Sequence, residues 1–147
     1  MAQGDETGKV ALCGSARGGY GPAMSLDPAP LIAKLAEILG PSGVVAEPAA
    51  MGAYLNEPRK RFRAPAVAVA LPKSVAEVQA LARFAFENEV PLIPQGGNTG
   101  LVGAQVPFKG DEVIVSLARL NALREIDADA GHMTVEAGMI LEEAHRI

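Results

Sequence analysis

An α+β domain is the fold class this sequence predicts, on three observations. A small-apolar run from Ala66 to Leu71, an amphipathic helix opening at Ser74 and a second apolar run from Val90 to Ile93 make a β-α-β unit. A loop with glycines at positions 96, 97, 100 and 103 leaves that second run. Further along, Leu123 to Asp127 and His132 to Ala137 flank the turn residues 128–131, the pattern of an antiparallel hairpin. The chain's 147 residues suit one domain with a real core, and they are 49% hydrophobic but only 4% aromatic.

Residues 1–26 are rich in Gly, Ala and Ser with scattered charge, and read as a flexible leader before a folded part at 27–147. Gly14 to Gly21 looks like a second phosphate loop but has the wrong ending for a Walker motif. The apolar run Val10 to Cys13 is far too short for a signal-peptide core, and Asp5 and Glu6 disfavour a mitochondrial presequence. No stretch reaches membrane-spanning length, so the sequence predicts no membrane span and a cytoplasmic location, with Met24 an alternative start.

Asp27 followed by Pro28 is an N-cap with proline in the first turn, and Leu31, Leu35, Ile38 and Leu39 recur on one face until Gly40-Pro41. Val44-Val45 starts a short strand. Residues 47–63 read as a loop carrying Arg59, Lys60, Arg61 and Arg63, a basic run weighed as a solvated face against a contact for phosphate or an acidic substrate. The continuous run Ala66 to Leu71 predicts a strand covered on both faces. Ser74 with Glu77 is a capping box for a helix whose Val75, Val78, Leu81, Ala82, Ala85 and Phe86 form a stripe, ending at Asn88 as a left-handed terminator. Strand, helix and strand predict parallel pairing with a right-handed crossover. Val113 to Leu117 is a further strand, and a helix starts near Met139.

Composition narrows the function. A net charge of −4 argues against nonspecific binding to nucleic acid. A lone Cys13 makes no internal disulfide, and His132 and His145 stand apart with no metal-ligand spacing. Glu136 reads as structural rather than as a general base, and no catalytic residue is assigned. The chemistry must come from a bound cofactor or from parts outside these residues.

The glycine loop is the segment written for that purpose. Four glycines within Gly96 to Gly103 imply main chain lying against something a Cβ would obstruct, and successive free amides in such a turn make a concave anion site suited to a diphosphate. The alternative is a plain tight turn. No Gly-Lys-Ser or Gly-Lys-Thr ending is present, and the spacing does not open a helix as a Rossmann fingerprint does.

Pro94-Gln95-Gly96-Gly97-Asn98-Thr99-Gly100-Leu101-Val102-Gly103 resembles the pyrophosphate loop of FAD-linked oxidases and dehydrogenases of the vanillyl-alcohol-oxidase (PCMH) type, in the D-2-hydroxyglutarate dehydrogenase, glycolate oxidase and D-lactate dehydrogenase branch. Leu71-Pro72-Lys73-Ser74 and Val135-Glu136-Ala137-Gly138 follow the same family's order. The resemblance implies the first lobe of a FAD-binding domain, with a second lobe and a substrate domain beyond it, so an amino-terminal fragment inactive by itself is expected. It implies FAD as cofactor, oxidation of a small D-2-hydroxy acid to a 2-oxo acid by hydride transfer to the flavin, and an electron acceptor that the residues do not identify. Cofactor contact is expected from Pro94, Gln95, Gly96, Gly97, Asn98, Thr99, Gly100, Leu101 and Gly103, with Pro72 nearby. In the berberine-bridge-enzyme branch a histidine after the Gly-Gly pair bonds covalently to flavin, and Asn98 at this place implies non-covalent binding. Other readings are a flavin oxidase for another alcohol and a nonenzymatic nucleotide-binding remnant.

Overall fold

A computed structural model describes residues 27–62 and 64–147; residues 1–26, where a leader is expected, and Arg63 lie outside the described residues. The elements run α1 (Pro28–Leu39), a 3-10 turn (Pro41–Gly43), β1 (Val44–Val45), a second 3-10 turn (Pro48–Ala50), α2 (Gly52–Leu55), β2 (Ala68–Ala70), α3 (Val75–Glu87), β3 (Leu92–Gln95), β4 (Val113–Ser116), β5 (Leu123–Asp127), β6 (His132–Val135) and α4 (Leu141–Ala144). The class is α+β.

The main sheet has the order β1-β2-β4-β3, with β1 antiparallel to β2 and the other pairs parallel. Thus β2 and β3 run in the same direction but do not pair, because β4 lies between them and pairs with both. The alternation of a strand sorts side chains to the two faces. Ala68, Ala70, Val113 and Val115 meet Leu31, Leu35, Leu39, Leu81 and Ala85 from α1 and α3. Val69 and Ile114 meet Met51 and, partly buried, Tyr54 and Leu55 around α2. Alanine at 68 and 70 leaves room for the leucines of the helical layer, and burial on both faces explains the unbroken apolar run.

Several boundaries differ from the sequence expectation. Residues 47–63 are not all loop, since the short α2 lies within them. β3 begins at Leu92 and includes Pro94 instead of stopping before it. An edge strand tolerates proline because its missing N–H leaves no central ladder bond unmade. Asn88 is not left-handed; its φ is −114°, and the positive φ of 53° falls on Glu89. Asn88 instead satisfies the helix end by donating from Nδ2 to the Phe84 carbonyl at 2.8 Å. Asp27 caps α1 by backbone geometry without a side-chain bond, whereas Ser74 Oγ accepts from the Glu77 N–H at 3.2 Å. The Glu77 carboxylate completes the box one residue early, on the Lys73 N–H at 2.8 Å.

Candidate functional site

Because β2, β4 and β3 are parallel, the segments after them emerge at one end of the sheet: Leu71-Pro72, the Leu117–Leu120 turn and the glycine loop. Open sheets commonly bind ligands beyond these carboxyl ends. The residues after the β5–β6 hairpin come to the same place. Gly138 donates its N–H to the Leu120 carbonyl at 2.8 Å, and a Cβ on it would stand 1.8 Å from the Leu117 carbonyl oxygen. Ile140 Cδ1 lies 3.3 Å from where a Cβ on Gly97 would be.

The loop is held from below by side-chain amides. Gln95, 2% exposed, donates from Nε2 to the carbonyls of Tyr54 and Gln105, each at 2.8 Å. Asn98 adopts a φ of 54° and donates from Nδ2 to Ala53 O at 3.2 Å and Asn56 O at 2.8 Å. Gln105 Nε2 closes the loop on itself through Gly100 O at 2.7 Å. Gly103, with a φ of 79°, lies so close to Phe62 that a Cβ would fall 2.4 Å from the ring. Residues 52–62 therefore form the floor on which the loop rests.

Gln95 and Asn98 are expected among the cofactor contacts, and their side-chain nitrogens are engaged within the protein. Both amide groups spend their donors on protein carbonyls. Asn98 Oδ1 is buried without a partner. Gly96, Gly97, Thr99, Gly100 and Leu101 remain exposed, as does Pro94, while Gly103 and Pro72 are buried. Among the described residues, no protein oxygen accepts a hydrogen bond from the main-chain N–H of any residue from Gly96 to Leu101.

Two neighbouring turns show what this protein does with free amides elsewhere. Glu112, buried, accepts from the N–H groups of Phe108 at 3.0 Å, Lys109 at 3.0 Å and Gly110 at 2.7 Å. Glu57, also buried, accepts from Arg59 N–H at 2.6 Å and from Arg61 N–H. Burial raises both carboxyl pKa values, but the main-chain donors outweigh it and hold each below the ordinary 4.5. These turns are filled by an internal anion. Among the described residues the 96–101 amides have no such internal acceptor, and Gly96, Gly97 and Gly100 carry no side chain to cover them, which is the form of a concave anion site.

Sequence spacing could not reveal the floor. Tyr54, Asn56 and Phe62 act through carbonyl oxygens or ring position some 40 residues before the loop, and Gln105, Gly138 and Ile140 carry no motif that names the partner they meet.

Comparison with known proteins agrees with this arrangement. Residues 66–147 match the family model described as FAD binding domain. D-2-hydroxyglutarate dehydrogenase of Xanthomonas citri pv. viticola is 42% identical over 99 residues, covering 67% of this chain and 21% of that protein. The mitochondrial D-2-hydroxyglutarate dehydrogenase of Arabidopsis thaliana is 35% identical over 106 residues, covering 72% and 19%. The chain thus spans about a fifth of the length of these curated relatives. Among solved structures, p-cresol methylhydroxylase with substrate bound superposes with a TM-score of 0.67 at 23% identity, over 78% of this chain and 23% of that one. An alkyldihydroxyacetonephosphate synthase superposes at 0.69 and 20% identity, over 85% and 27%. Both show the fold.

Proposed function

The chain belongs to the FAD binding domain family, and from that premise we propose that residues 27–147 form the first lobe of the FAD-binding domain of a flavin-dependent dehydrogenase that oxidises a D-2-hydroxy acid to a 2-oxo acid. In the whole protein a second lobe and a substrate domain complete it. The observation that carries this reading is the row of amides from Gly96 to Leu101, without an acceptor among the described residues, at the carboxyl end of three parallel strands. When bound, FAD supplies the hydride acceptor.

The residues here bind and orient. Gly96, Gly97, Thr99, Gly100 and Leu101 present amides to the diphosphate, with Pro94 at the entrance. Gln95, Asn98 and Gly103 hold the loop's shape, and Pro72 supports the end of β2 from within. Asn98 has no nucleophilic nitrogen to attach a flavin, so FAD is held without a covalent link at this position. The substrate class is taken from the names of the relatives, D-2-hydroxyglutarate dehydrogenases, and oxidation of a different alcohol is the competing reading.

The test is calorimetric and thermal titration of the purified chain with FAD and with riboflavin, which lacks phosphate. FAD is expected to raise the melting temperature while leaving the protein on gel filtration, since only part of the pocket is present. Riboflavin is expected to have little effect. Equal shifts, or none at millimolar FAD, would overturn the reading. For substrate class, the full-length protein should reduce a dye with D-2-hydroxy acids and not with their L-enantiomers or aryl alcohols.

A further inference from the structure

We propose that the turn carrying Arg59, Lys60 and Arg61 supplies the counter-charge for the diphosphate at the glycine loop, although it lies some 40 residues before that loop in the sequence. This inference rests on the FAD reading above and adds to it a second binding element.

The loop itself contains no Lys or Arg between Val90 and Pro107, yet a diphosphate brings negative charge to it. The basic turn is fastened to the loop on both sides. Before it, Asn56 O accepts from Asn98 Nδ2 at 2.8 Å; after it, Phe62 sits against Gly103. Three residues of chain span at most about 11 Å, so Arg59 stays within that reach of Asn56, and Arg61 adjoins the residue that touches Gly103.

The turn is also built rather than loose. Glu57 is drawn inside, its carboxylate accepts the Arg59 and Arg61 N–H groups, and its carbonyl accepts the Lys60 N–H at 3.0 Å. Lys60 is held at a φ of 53°, a left-handed conformation that costs a lysine free energy and persists only where the surroundings enforce it. With their main-chain groups tied inward, all three residues are exposed, and among the described residues no acidic side chain makes a close ion pair with them, although Arg59 feels the Glu57 charge. Even with the Glu57 carboxylate among them, the turn keeps a net positive charge in a chain whose total is −4.

The test compares the wild-type chain with R59Q/K60Q/R61Q and with K34Q/R83Q, which removes cations from the groove between α1 and α3. FAD, riboflavin and sodium pyrophosphate are titrated at low and high NaCl. Loss of two or three partly screened charges is expected to weaken FAD and pyrophosphate by about tenfold at low salt and to flatten the salt dependence. Riboflavin binding, and FAD binding by K34Q/R83Q, should not change. The charge-retaining R59K/R61K should bind FAD like wild type, which separates charge from turn geometry, and unchanged melting temperatures without ligand confirm intact folds. If wild type binds FAD but the triple variant matches it at every salt concentration, the counter-charge assignment fails and the FAD reading stands. If wild type binds neither FAD nor pyrophosphate, both fail.

Discussion

Gly96 and Gly103 separate two reasons for a glycine in one loop. A Cβ on Gly96 meets nothing within 4 Å, whereas on Gly103 it strikes Phe62 and the φ of 79° already excludes most side chains. Gly103→Ala is therefore expected to destabilise the fold by about 1–3 kcal/mol. Gly96→Ala should leave the melting temperature within a degree or two of wild type and still impair FAD binding, because the new methyl group stands where the diphosphate approaches. An unchanged FAD affinity in Gly96→Ala would argue that the ligand does not lie on that face. Gln95 is a third case: Gln95→Ala leaves the Tyr54 and Gln105 carbonyls without their donor, at a cost of about 1–3 kcal/mol for buried groups, readable as a lower midpoint in urea. The motif marked these residues together. Their individual tasks became visible only when the atoms beneath them were known.

At the scale of elements, the molecule is unevenly stable. β2 and β4 are buried on both faces, while β5 and β6 pair only with each other and are largely exposed. Ile126 and Met133 are 48% and 41% exposed although they face one another across the hairpin. Amide hydrogen exchange should therefore be fast in 123–135 and slow in 68–70 and 113–116, and equal protection would contradict this layering. Ser74→Ala removes the cap of α3 and is expected to cost about 1 kcal/mol, measured by thermal unfolding. Helix α3 was legible from its capping box, which is local, but its stripe was only partly right: Leu81 and Ala85 are buried, whereas Val75 and Phe86 are 68% and 86% exposed and Phe84 packs against the core in their place. The slip of β3 past Pro94 was not legible, because proline's compatibility depends on whether the strand is at an edge, and strand order is a tertiary property.

For the whole molecule, three carboxylates among the described residues contribute to the response to acid. Glu57, Glu112 and Glu136 all have folded pKa values below the ordinary 4.5, Glu57 and Glu112 through main-chain donors that overcome burial, and Glu136 first through the Ala122 N–H and then Arg124. A depressed folded value means the unfolded chain takes up the proton first, so their stabilisation is complete above about pH 4.5 and is lost as pH falls through the folded values. Urea midpoints should be level above that pH and drop below it, and Glu112→Gln should lower the plateau and soften the drop. A midpoint independent of pH down to 3 would contradict the assignment. The sequence by itself determined the α+β class, the order of most elements and the ten-residue loop, because periodicity, caps and closely spaced glycines are encoded within a few residues of one another. Only the tertiary structure decided that β4 separates β2 from β3, that the side-chain amides of Gln95 and Asn98 donate to protein carbonyls, and that the basic turn lies beside the glycine loop. Those outcomes depend on contacts between residues tens of positions apart, where which partner wins is set by packing and by the need to satisfy every buried polar group.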